Sequence, residues 1–247
     1  MPFTELIVDL DEEIFLWINS FHSKSIDMFM FWISTRIIWV PLYLTMLYAV
    51  FLSYGWRTML LMGIMVGIAV AASDQVSASV LRPIFERYRP ANLEDDLSPL
   101  VHIVDGYRGG KYGFPSCHAA NTFAAATLTS RLFKRHVFSI FVFMWAILIC
   151  YSRIYLGVHF PGDLILGALI GSFFGTFCYA MAQVALRIVY KNSHADIRRR
   201  MIATYRRGSQ MIVSRVFNHE IRWRPTYIPI TTGILTLIIT FIATVRF

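Results

Sequence analysis

From Leu164 to Leu186 the sequence carries no charged side chain, a run long enough for a helix to cross the roughly 30 Å hydrocarbon core of a bilayer. Comparable apolar runs occur at about 33–52, 58–81, 116–132, 137–151 and 227–245, and the long one extends to about 189. In lipid every backbone polar group needs an internal partner, so such runs are helices. The expected fold is therefore all-α, a polytopic membrane bundle of about six transmembrane helices. Composition agrees, with 56% hydrophobic and 15% charged residues, outside the range of a soluble domain.

Residues 1–32 mix acidic side chains with Phe15, Trp17, Phe21 and Phe29, which suits an amphipathic helix lying in the interface, with Trp17 as an anchor. The acidic N-terminus lacks the pattern of a cleaved signal peptide, so nothing is expected to be removed. A single integral membrane domain is expected, with a catalytic core at 33–189, a basic cytoplasmic segment at 190–226 and a last transmembrane helix at 227–247. Residues 82–115, with four prolines and the acidic run Glu94-Asp95-Asp96, read as a long exposed loop. Cys117, Cys150 and Cys178 have neither disulfide-framework nor zinc-like spacing, so no metal or other cofactor is expected.

The net charge of +8 sits beside the spans, which fits anionic lipid headgroups better than nucleic acid. With alternating sides, 14 of the 23 Lys and Arg residues fall with Arg57, Arg131–Arg135 and Arg187–Arg224. The positive-inside rule makes that side cytoplasmic. The 82–115 loop then lies outside with a polar cluster at 152–163, which is expected as an interfacial stretch between spans.

That cluster, Ser152-Arg153-Ile154-Tyr155-Leu156-Gly157-Val158-His159-Phe160-Pro161-Gly162-Asp163, is where chemistry is expected. A carboxylate four residues from an imidazole can hold one ring N–H and leave the other nitrogen free to attack or to accept a proton. Arg153 adds a cationic fork for an anion. Alone, the cluster could simply cap helix ends. Two other stretches of the same face change the balance: Arg82 and Arg89 flank the end of the second span, and Pro115-Ser116-Cys117-His118 opens the third. A helix N-terminus offers unpaired N–H groups and a positive dipole end to an anion. Together these groups describe a phosphate pocket. Asp74, a carboxylate within the second span, is a candidate supporting residue for it.

In order and internal spacing, Arg82-x6-Arg89-Pro90, Pro115-Ser116-Cys117-His118 and Ser152-Arg153-x5-His159-x3-Asp163 resemble the three-part motif of the type 2 phosphatidic acid phosphatase (PAP2) superfamily. The resemblance covers about residues 30–190 and departs from the pattern twice, with Arg82 for the usual lysine and Cys117 for the usual glycine. It implies that His159 is a nucleophile forming a phosphohistidine, that Asp163 orients it, and that His118 protonates the leaving oxygen. Arg82, Arg89, Ser116, Cys117 and Arg153 would hold the phosphoryl oxygens, making metal unnecessary.

Groups at span ends stand at headgroup depth, so the expected substrate is a phosphorylated membrane lipid. Lipid A phosphate, undecaprenyl diphosphate and phosphatidylglycerol phosphate are the candidates. The expected location is a bacterial inner membrane with the active site facing the periplasm. The competing reading is a membrane transporter or channel with an anion-binding site and Asp74 on its pathway. It is disfavoured because no inverted repeat is evident and the polar groups gather at one face.

Overall fold

The computed structural model describes residues 3–206 and 225–245, with side chains described over 5–188 and 225–245. Among the described residues the regular structure is helical. The segment at 1–32, expected as one interfacial helix, is two: α1 (Phe3–Asn19) and α2 (Lys24–Ser34). They part at Ser23, whose extended backbone (φ −155°, ψ 135°) caps α2. On α1, Leu6, Leu10 and Trp17 are more than half exposed, as an interfacial helix requires. Its other face carries Asp11, Phe15 and Asn19 at four-residue spacing, a single stripe turned toward the bundle.

Five helices among the described residues are long and apolar enough to cross a membrane. The first begins later than expected, because Ile33 and Ser34 belong to α2 and are buried. A 3-10 turn at Ile37–Trp39 leads into α3 (Val40–Tyr54), where Pro41 occupies a first-turn position at which a missing N–H costs nothing. Gly55 turns the chain into α4 (Trp56–Gln75). A π-helical turn at Val76–Leu81 joins α4 to the short α5 (Arg82–Phe85), so the second span runs from Trp56 to Phe85.

The third expected span, 116–132, is α6 (Cys117–Phe133), which at 17 residues falls just below the 18 of the shortest spanning helices. It lies inside the bundle against α4, α7 and α8, and is built largely of buried alanine and threonine. A helix surrounded by helices gains from small residues and close backbones more than from bulky apolar ones. On its α8 side, a Cβ at Gly167 or Gly171 would overlap the carbonyl oxygen of Ser116 or Ala120, and one at Gly175 would stand 2.6 Å from that of Ala124. Three successive turns of the two helices thus touch backbone to backbone.

α7 (His136–Tyr155) continues past the expected end at 151. Ser152 and Arg153 are therefore helical, and the link to α8 (Pro161–Arg206) is only Leu156–Phe160. α9 (Tyr227–Thr244) packs on α3 and α2. The basic segment expected at 190–226 lies outside the residues whose side chains are described.

The 82–115 stretch is not simply exposed. Leu93 and Leu100 face outward, but Arg89, Ala91, Val104 and Gly113 are buried over the ends of α6 and α8. An antiparallel bridge between Tyr88 and Tyr112 closes it, and Arg108 Nη1 donates to the Ala91 carbonyl at 2.6 Å.

Candidate active site

Each expected polar stretch enters the site from a helix end. Arg153 occupies the last turn of α7, His159 the following link and Asp163 the first turn of α8. His159 Nδ1 donates to Asp163 Oδ2 at 3.0 Å, and the same oxygen accepts the Phe160 N–H at 3.1 Å. With both side chains essentially buried, the ring has one orientation. Nε2 accepts from Arg89 Nη1 at 3.2 Å, so it is unprotonated and faces a cation. Burial, and then Arg89 and Arg153, hold the His159 imidazole well below its ordinary pKa.

Arg89 is itself fixed from three sides. Its Nε donates to the Tyr112 carbonyl at 3.1 Å, and Nη1 also reaches the Val158 carbonyl at 3.3 Å. Burial, then Arg153 and Arg82, lower its pKa to about 10, which leaves it charged near neutrality. Gly113 lets this strand pass over the dyad, since a Cβ there would be 2.9 Å from Asp163 Oδ2.

The α6 N-terminus docks on the same residues. Ser116 N–H donates to the Asp163 carbonyl oxygen at 3.0 Å. Its hydroxyl is buried without a partner, as are Arg82 Nε and Arg153 Nε. Buried donors left unpaired cost roughly 1–3 kcal/mol each, which an anion accepting from them would recover. The first N–H groups of α6, at Cys117 and His118, have no intrahelical acceptor. Arg82 Nη2 donates to the Pro115 carbonyl and the Cys117 sulfur, both at 3.2 Å. Both departures from the family pattern therefore touch each other.

Arg153 is steadied by two residues that the sequence did not single out: it donates to Ser34 Oγ and, at 3.2 Å, to the Tyr107 hydroxyl. With Thr35, Arg36 and His118 these line a polar cavity of about 150 Å³. Ser34, Thr35, Arg36 and His118 also border an apolar cavity of about 350 Å³ that runs between α3, α4, α6 and α7 to Leu132. A lone arginine inside the run expected as the first span, 33–52, was a readable signal for Arg36; Ser34 and Tyr107 carried none. Asp74 Oδ1 accepts from Asn121 Nδ2 at 2.9 Å, which ties α4 to α6 one turn beyond Cys117. Ser152 takes no part, as its hydroxyl donates to the Ile149 carbonyl. Among the described residues no three His, Cys, Asp or Glu side chains converge as metal ligands.

The assembly of three arginines, two histidines and a helix N-terminus has known counterparts. The PAP2 superfamily model matches residues 68–187. A lipid A 4'-phosphatase of Bacteroides thetaiotaomicron is 42% identical over 178 residues, covering 72% of this chain and 79% of the relative. Its counterpart from Porphyromonas gingivalis is 35% identical over 175 residues, 71% of this chain and 74% of the relative. Among solved structures, Aquifex aeolicus LpxE is similar with a TM-score of 0.54 at 27% identity, covering 68% of this chain and 94% of that one. A PAP2-type phosphatidylglycerolphosphate phosphatase from Bacillus subtilis shares the fold, with a TM-score of 0.53 at 24% identity over 72% of this chain and 87% of that one. None of these relatives supports a transporter. With two relatives above 30% identity, each matched over most of its length, and the motif residues brought together around His159, the chain belongs to the PAP2 superfamily, among its bacterial multi-pass membrane lipid phosphatases.

Proposed function

We propose that the chain removes a phosphate from lipid A by way of a phosphohistidine. The observation that carries this reading is the His159 ring held by Asp163 at 3.0 Å with Nε2 turned to the Arg89 guanidinium. Nε2 attacks phosphorus, the P–N bond forms as the P–O ester bond breaks, and His118 gives its proton to the leaving oxygen. Water then attacks phosphorus while His118 takes back a proton from that water, and the P–N bond breaks, releasing inorganic phosphate and restoring neutral His159 and protonated His118. Asp163 keeps the Nδ1 proton in place and balances the imidazolium charge of the intermediate. Arg82, Arg89, Arg153, the Ser116 hydroxyl and the Cys117 and His118 amides receive the phosphoryl oxygens, where preorganised donors lower the barrier.

The substrate is inferred from the relatives named lipid A 4'-phosphatases. A lipid site also accords with the 350 Å³ apolar cavity that shares His118 with the polar pocket. The test is release of inorganic phosphate by purified enzyme from lipid A bearing a 4'-phosphate, undecaprenyl diphosphate and phosphatidylglycerol phosphate. Turnover of lipid A at least about tenfold faster in kcat/KM supports the assignment; preference for either other lipid replaces it. Activity in EDTA is expected, because the arginines supply the positive charge.

The reading includes an inner-membrane location with the pocket facing the periplasm, supported by the placement of 14 of 23 basic residues on the opposite side. A cysteine introduced at Leu93, which is 79% exposed, should react with an impermeant maleimide in cells whose outer membrane alone is permeabilised. Labelling only after lysis would reverse the orientation.

A further inference from the structure

Among the described residues, one ionic contact from a residue that the family motifs leave unspecified reaches the catalytic dyad. Arg87 Nη1 lies 2.6 Å from Asp11 Oδ2 and 3.5 Å from Asp163 Oδ1. Asp163 Oδ1 is buried and has no hydrogen-bond partner, so Arg87 is the cation that faces it. The other carboxylate oxygen of Asp11 accepts the Gly162 N–H at 2.7 Å, in the first turn of α8 and next to Asp163. Arg87 also covers the Phe160 ring at 3.9 Å, and Phe15 meets the same ring edge-on at 5.2 Å.

A third tie lies one turn further along α1. Asn19 Nδ2 donates to the Ile154 and Tyr155 carbonyls, each at 3.0 Å, and Asn19 Oδ1 accepts the His102 N–H at 2.8 Å. Asp11, Phe15 and Asn19 therefore fasten α1 to both ends of the link that carries His159. A helix that served only to rest on lipid would not need buried polar ties at this spacing.

We propose that Asp11 and Arg87 are positioning residues for the phosphatase reaction: Asp11 fixes Arg87 and the α8 N-terminus, and Arg87 holds the Asp163 carboxylate charged and aligned for His159. The inference rests on the reading of His159 as nucleophile. Arg87 Nη1 is committed to Asp11 and Asp163 and its Nη2 is buried without a partner; Arg87 is assigned no phosphoryl oxygen. It acts through Asp163, so its loss lowers kcat with little change in KM.

The charge bookkeeping gives two opposite signatures. Replacing Arg87 by Gln removes a cation from beside the dyad, which makes protonation of His159 and Asp163 easier and moves the acidic limb of the kcat/KM profile to higher pH. Replacing Asp11 by Asn keeps an acceptor for Gly162 but removes an anion, which moves the same limb to lower pH. The other charges around Arg87 are Glu12 on α1 and Asp95 in the overlying loop, and Arg89, Arg153 on α7, His118 on α6 and Arg82 on α5 face His159 from the other elements; all are retained in both variants.

The experiment measures steady-state phosphate release from lipid A 4'-phosphate in mixed micelles by the full-length protein and by Arg87→Gln, Arg87→Lys, Asp11→Asn and His159→Ala. Arg87→Gln is expected to lower kcat at least about tenfold with KM within about twofold, and Arg87→Lys to recover most of that loss. The acidic limb is expected to move up by about half a pH unit or more in Arg87→Gln and down in Asp11→Asn. Wild-type kcat in Arg87→Gln, a loss confined to KM, or limbs that do not separate would overturn the proposal. If Arg87→Gln fails to insert, Asp11→Asn and Arg87→Lys decide it, because an unmoved limb in Asp11→Asn alone refutes the charge coupling. His159→Ala separates the two readings: if it is inactive while Arg87→Gln is unimpaired, only the positioning proposal fails, and if it turns over, the nucleophile assignment fails.

Discussion

Arg89 Nη1 stands 3.2 Å from His159 Nε2, so the nitrogen assigned to attack phosphorus faces the guanidinium that would receive a phosphoryl oxygen. Nucleophile and anion receptor are in register before any substrate arrives. His159→Ala is expected to lower kcat by about 10⁴-fold or more, as removal of other enzymes' nucleophiles does. His118→Ala should keep phosphorylation by esters with good leaving groups and lose it with lipid alkoxides. Comparing para-nitrophenyl phosphate with lipid A 4'-phosphate reads the difference; equal losses on both substrates would remove His118 from the acid role.

The lowered pKa of His159 fixes the sign of the acid response. Burial, then Arg89 and Arg153, keep the ring neutral at pH values where a free imidazole, with its pKa of about 6.5, would be charged. The acidic limb of kcat/KM is therefore expected below about pH 6.5. The same shift bears on stability. As pH falls below about 6.5 the unfolded chain binds a proton that folded His159 does not, so this contribution to stability is present above that pH and is lost progressively below it. Thermal unfolding in detergent across pH 4–8 checks the second part, and an activity limb above pH 7 would contradict the first.

Arg82 and Cys117 form a unit, with the guanidinium donating to the sulfur at 3.2 Å. If charge is what the pocket needs, Arg82→Lys retains substantial activity while Arg82→Ala loses about 2.7–4 kcal/mol of transition-state stabilisation, as for removal of one oxyanion donor. Cys117→Ser and Cys117→Gly are expected to remain active, because the α6 N-terminal N–H groups survive both changes. An inactive but folded Cys117→Ser would give the sulfur a chemical role.

The backbone contact between α6 and α8 leaves no room for a side chain. Gly171→Ala would press its methyl into the Ala120 carbonyl, and the helices must separate to admit it. Overpacking of this kind costs about 1–3 kcal/mol. The expected result is a lower unfolding temperature together with reduced kcat, since Ser116 and Asp163 ride on the two helices that part.

Much of this was legible in the sequence because membrane spans announce themselves by length and the site residues by spacing. His159 and Asp163 lie on one local stretch, and Arg153 and Ser116 sit at helix ends, where the apolar pattern breaks. What escaped was contact at long range. Ser34 and Tyr107 meet Arg153 only after α2 and the overlying loop fold back, and neither residue type marks a site. Asp11 looked like one more acid on an interfacial helix, because its partner is 76 residues away. The division of that helix into α1 and α2 was hidden as well, since both halves carry the same mixture of acidic and aromatic residues. α6, expected as the third span, looked like a full one because its composition, rich in alanine and threonine, reads as apolar whether the helix faces lipid or other helices.

The shortness of α6 sets the depth of the chemistry. Seventeen residues at 1.5 Å per residue give about 25 Å, less than the roughly 30 Å thickness of the hydrocarbon core. If the Arg131–Arg135 turn at its far end stays at one surface, the N-terminus at Ser116 and Cys117 stops short of the other. Because α4, α7 and α8 surround α6, the protein itself walls this recess, and the phosphate must sink below the plane of neighbouring headgroups to reach His159. Depth thereby becomes a selectivity filter: a phosphate on a soluble metabolite has no anchor to draw it into the recess, whereas one borne on a lipid need move only a few ångströms along its own axis.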